Sequence, residues 1–83
     1  MTEEEVMAAA LGVARSILDG GTTPRAGAAR IWVLSAENGR ACSRELAPFI
    51  AAASSWDETP EYRDTLLQDI QRAAEELVAA HGG

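Results

Sequence analysis

One cysteine, one histidine and no lysine leave this 83-residue chain short of the side chains on which most catalysis and metal binding rest. The lone thiol, Cys42, forms no disulfide framework and builds no cysteine-based zinc site within one chain. Such cysteine usage fits a reducing compartment, and the cytoplasm is the expectation. No run of about 18 apolar residues is present to span a membrane. The opening Met1-Thr2-Glu3-Glu4-Glu5 is acidic, opposite in sign to a secretory signal. Aromatic residues make up only 5% of the chain, and its apolar 47% is mostly alanine with Leu, Ile and Val. Alanine is the best helix former and a poor strand residue, which speaks against a thick β-sandwich and for closely packed helices.

Excess charge is of one sign. Thirteen Asp and Glu face seven basic residues, all arginine, for a formal net charge of −6. General affinity for nucleic acid needs cations to displace counterions from phosphates, so no nucleic acid is expected as partner. The charge is unevenly placed. Arg25, Arg30, Arg40 and Arg44 stand against Glu37 alone over residues 24–44, whereas residues 45 onward hold eight of the carboxylates and only Arg63 and Arg72. The middle is basic and the C-terminal half acidic.

Caps and periods predict four helices in one domain over residues 1–83, near 3–19, 24–38, 44–56 and 60–80. Thr2 and Glu5 have capping-box spacing, and Gly20-Gly21 ends the first helix. Its apolar face runs through Val6, Met7, Ala10, Leu11, Val13, Ala14, Ile17 and Leu18. Thr23 caps the second helix with Pro24 at its first position, and Gly39 is the stop. Ala28, Ile31 and Leu34 mark its buried side, Trp32 lies on the flank, and Val33 points away. Ser35 falls in the buried stripe, where its hydroxyl can bond back to the preceding turn.

The third helix is the least regular, with Ser43 as candidate cap and Pro48 near the first turn. Leu46, Phe49, Ile50, Ala53 and Trp56 keep helical spacing, and no charge occurs from Leu46 to Trp56. A helix without charge is expected to be buried on most sides or covered by a partner. The fourth helix starts at Thr59-Pro60 and carries Tyr62, Leu66, Leu67, Ile70, Ala73, Ala74, Leu77 and Val78 on one arc. Short connections favour antiparallel neighbours, so the expected fold is all-α, a small antiparallel four-helix bundle whose third helix is short or tilted.

Chemistry is sparse. His81 near the chain end reads as an exposed side chain rather than a metal ligand. Asp57, Glu58, Glu61 and Asp64 offer hard-cation oxygens but lack the spacing and central glycine of a calcium loop, and acidic residues at a helix start are what the dipole favours. Cys42 lies between Arg40 and Arg44, which lower a thiol pKa, yet no histidine stands near in sequence to serve it as base. Glycines 20, 21, 27 and 39 match no phosphate-cradling motif. A helix-turn-helix wants a basic second helix, and here that helix is charge-free. The expectation is therefore no catalytic, metal-binding or cofactor-binding residue, no enzyme, and no small-molecule substrate.

An interface is the positive reading. Trp and Arg are enriched at binding hot spots. Arg25, Trp32, Val33 and Trp56, with the acidic run Asp57, Glu58, Glu61 and Asp64, are the candidate partner-binding residues. The plainer reading of both indoles is that they complete a thin core. Three functions follow. The first is a non-catalytic protein–protein interaction module: adaptor, regulator or subunit. The second is an acidic inhibitor that blocks a basic target. In length and charge the chain resembles helical immunity proteins of nuclease bacteriocins, with no shared motif. The third is a structural homodimer with Leu46–Trp56 at its two-fold axis. A carrier function is weak, because alanine-rich interiors leave little cavity.

Overall fold

The fold is taken from a computed structural model, which describes residues 2–38 and 44–81. Among the described residues four α-helices make up the bundle: α1 (Glu3–Asp19), α2 (Pro24–Asn38), α3 (Ala47–Ser55) and α4 (Arg63–His81). Helix α1 is flanked by α2 and α4, α3 closes the ring between α2 and α4, and the α2–α4 diagonal is the closer of the two. The architecture is a small all-α bundle with a short third helix.

Local chemistry sets the ends of the first two helices. The Glu5 amide donates to Thr2 Oγ1 at 3.2 Å and the Thr2 amide donates to Glu5 Oε1 at 3.4 Å, a complete capping box. Gly20 closes α1 at φ 81°, a left-handed conformation that suits glycine, and the Gly21 amide returns to the Ser16 carbonyl at 2.8 Å. Thr23 Oγ1 accepts from the Ala26 amide at 3.1 Å and so caps α2.

Gly27 then lets α2 lie tightly on α1. A Cβ at this position would sit 2.5 Å from Ile17 Cδ1 and 3.2 Å from Val13 Cγ1. In the sequence this glycine matches no phosphate-cradling motif; in the fold its role is close approach.

The core joins Val6, Val13 and Ile17 of α1, Ile31 of α2, Leu46 and Phe49 around the start of α3, and Ile70 and Leu77 of α4. Alanines fill the spaces between them. Several expectations need correction. The third helix does not run as one α-helix from residue 44: Arg44–Leu46 is a 3-10 turn, and Leu46, with no side-chain cap bond, precedes α3. Ser43, the candidate cap, and the stop Gly39 lie outside the described residues, as do Arg40 and Cys42. The fourth helix likewise begins as a 3-10 turn, Pro60–Tyr62. Three residues per turn instead of 3.6 rotate Tyr62 out of the buried arc, and it is 58% exposed.

Thr59, the cap that the Thr-Pro pair suggests for this helix, makes no side-chain capping bond to it. Its hydroxyl donates to the Ser55 carbonyl at 2.9 Å and so completes the end of α3. Ser35 is buried as its place in the stripe implies, but its Oγ has no hydrogen-bond partner among the described residues, so the bond back to the preceding turn that its position allows is not made. Of the two expectations for the charge-free helix, burial on most sides within the chain is not met. Ala47, Pro48, Ala51 and Ser54 are exposed, because α3 packs chiefly against α2 and α4 and turns its other side to solvent.

Candidate interaction surface on the second helix

Helix α2 is apolar on both sides. Inward it buries Gly27, Ala28, Ile31 and Ser35. Outward it exposes Arg25, Ala26, Ala29, Arg30, Trp32, Val33, Ala36 and Glu37, where Trp32 is 44% and Val33 is 52% exposed. These outward positions recur at spacings of three and four, so they form one continuous face along the helix. No carboxylate is paired with Arg25, Arg30 or, from the other side, no cation with Glu37 among the described residues.

A cleft of about 160 Å³ opens on one edge of this face, between α2, the end of α3 and α4. Ala28, Ala29, Ala53 and Ile70 contribute its apolar wall, and Arg25, Trp32, Trp56 and Asp57 the remainder. The Arg25 guanidinium lies 5.3 Å from the Trp56 ring centroid and that of Arg63 lies 5.5 Å away, both within the ~6 Å reach of a cation–π contact. Arg63 also donates from Nε to the Trp56 carbonyl at 3.4 Å and stands 3.9 Å from Asp57 Oδ1. Trp56 is thereby fixed, half-buried, between an apolar wall and two cations.

On the opposite edge of α2 a second groove, about 350 Å³, runs between α1 and α2 and is lined by Ala9, Val13, Ala29, Arg30, Val33 and Leu34. Ala29 borders both depressions, which makes the outer ridge of α2 the centre of the surface.

Four of the eight candidate interface residues therefore meet: Arg25, Trp32, Trp56 and Asp57 border one cleft. Val33 shares α2 with Arg25 and Trp32 but faces the other groove. Glu58, Glu61 and Asp64 are exposed on the α3–α4 corner and do not line the cleft. Sequence reading missed Arg63, Ala53 and Ile70. Arg63 follows Trp56 across a turn and Ile70 comes from another helix, so no periodicity linked them to Trp32.

Of the ionisable residues, His81 makes a contact that its place near the chain end did not suggest: its Nε2 is 2.5 Å from Glu45 Oε2, tying the end of α4 to the 3-10 turn before α3. Among the described residues no three His, Cys, Asp or Glu side chains group so as to hold a metal ion. No described helix is long and apolar enough to cross a membrane.

The fold places this chain among small all-helical bundles. No family model matches it, and neither the curated proteins nor the solved structures searched give a match.

Proposed function

We propose that this chain is a non-catalytic protein–protein interaction module that works through the outward face of α2 and its adjoining tryptophan cleft. One observation carries the reading: α2 has apolar side chains on its solvent side as well as its core side, with Trp32 and Val33 both about half exposed. Interface centres favour aromatic residues and arginine, and Trp56 lies beneath Arg25 and Arg63 with Trp32 in the same cleft. The surrounding alanines make the ridge low, so a partner helix can approach closely.

The test compares the tagged wild-type chain with Val33→Glu in capture from nuclease-treated native extract, with circular dichroism as the folding control. A stoichiometric partner, whether another protein or an untagged copy, should be retained by the wild type and lost by the variant. Equal retention would remove α2 from the interface. No partner of either kind would sink the module reading.

A second reading, an acidic inhibitor of a basic target, draws support from the exposed carboxylates Asp57, Glu58, Glu61 and Asp64, of which only Asp57 faces an arginine. Long-range attraction would then steer association, and its rate should fall steeply with salt. A rate indifferent to salt argues against it.

A further inference from the structure

We infer that the occupant of the α2 face is a second copy of this chain, docked with α2 antiparallel to α2 about a two-fold axis close to Trp32 and Val33. The inference rests on the reading above that this face is an interface, and names its partner.

Charge is the first argument. Arg30 and Glu37 lie seven residues apart, two helical turns, and so occupy the same edge of the outward face. Neither has an ion-pair partner among the described residues. In a two-fold antiparallel pair like edge meets like edge, and a contact made once is made twice. Each Arg30 then meets the partner's Glu37, giving two reciprocal ion pairs across the axis. A parallel pair sets unlike edges together and brings Arg30 towards Arg25 and Trp32 of the other copy, with no carboxylate in reach. The face is complementary to itself in one orientation only.

Shape and net charge agree. Ala26, Ala29 and Ala36 let two helix backbones approach closely, while Val33 supplies the apolar centre and Trp32 flanks it on the other edge. Beyond residue 45, Asp64, Asp69, Glu75 and Glu76 stand on the exposed side of α4, and of the remaining carboxylates Asp57 alone borders the α2 cleft. Helix α4 stands diagonally across the bundle from α2. Joining two copies through α2 therefore holds the acidic surfaces of two chains of charge −6 apart, which joining through α4 would not. The pairing also differs from the sequence expectation of a dimer seam along Leu46–Trp56, since the exposed side of α3 has neither a large apolar side chain nor a charge to set register.

The experiment is sedimentation equilibrium of the full chain from about 1 μM to about 1 mM, the range in which a small interface of this kind associates. Wild type should move from monomer towards dimer mass. Arg30→Glu and Glu37→Arg should each weaken self-association by about tenfold or more, because two ion pairs become two repulsions. An equimolar mixture of these two variants should form a heterodimer at least as well as wild type, since every contact across the axis is then of opposite charge. The double variant R30E/E37R should recover as well.

A wild-type chain that stays monomeric throughout overturns the proposal. So does a dimer unmoved by both reversals, which would place its seam elsewhere. If the wild type is monomeric while Val33→Glu still abolishes capture of another protein, the second copy is wrong and the interaction-module reading stands. If that variant changes nothing either, both fall.

Discussion

At the scale of single residues, two glycines with the same helical context have opposite meanings. Gly12 lies exposed in the middle of α1, and a Cβ there would meet nothing within 4 Å. Alanine in place of an interior helical glycine is worth about 0.5–1 kcal/mol, so Gly12→Ala should raise stability by that amount in urea denaturation. Gly27 offers the same propensity gain, but its Cβ would press on Ile17 Cγ1 at 2.6 Å as well as on Cδ1. Overpacking of about 1–3 kcal/mol outweighs the gain, and Gly27→Ala should destabilise. Stabilisation by both would mean that α1 and α2 are less closely packed than described. Ser35 gives a third case. Burying a hydroxyl without a partner costs about 1–3 kcal/mol, so Ser35→Ala should stabilise by roughly 1 kcal/mol, and a loss would reveal a bond to that oxygen. Sequence showed where Ser35 sits, because burial follows period. It did not show the missing bond, because that depends on which way one rotor turns.

At the scale of the element, the two Thr-Pro dipeptides look alike and act oppositely. Thr23 Oγ1 accepts from the Ala26 amide, whereas the Thr59 hydroxyl donates to the Ser55 carbonyl. Aspartate can accept but, ionised, cannot donate. Thr23→Asp should therefore leave stability nearly unchanged, helped by the helix dipole, while Thr59→Asp loses its bond and sets a carboxylate beside a carbonyl, costing about 1–2 kcal/mol. Equal effects in chemical denaturation would sink the distinction. The same contrast marks what was legible. The start and stop of α1 and the cap of α2 are written in contiguous residues, and they read correctly. The 3-10 turns before α3 and α4 are not, since Leu46 is drawn fully into a core assembled from distant helices. The interface candidates divide in the same way. Val33 was placed outward by period alone, but the meeting of Arg25 with Trp56 joins two helices that no local pattern connects.

At the scale of the whole molecule, the bundle rests on few large side chains. Ala10, Ala14, Ala28, Ala52, Ala73 and Ala74 make up much of the buried core, and among the described residues Phe49 is its only aromatic ring. Alanines bring helices close but bury little apolar area each, so the ring carries a disproportionate share of the packing. A chain of this size has a total stability of about 4–12 kcal/mol. Removing a buried phenylalanine ring costs about 3–5 kcal/mol, because lost transfer energy is joined by a cavity that rigid helix neighbours cannot close. Phe49→Ala should then lose most of its cooperative thermal transition by far-UV circular dichroism. Phe49→Leu keeps most of the volume at a cost of about 1–1.5 kcal/mol, and should still melt cooperatively with Tm lowered by about 4–12 °C. If Phe49→Ala instead melts sharply near the wild-type temperature, the helices are held together chiefly by their close alanine contacts, and Phe49 only fills space between them.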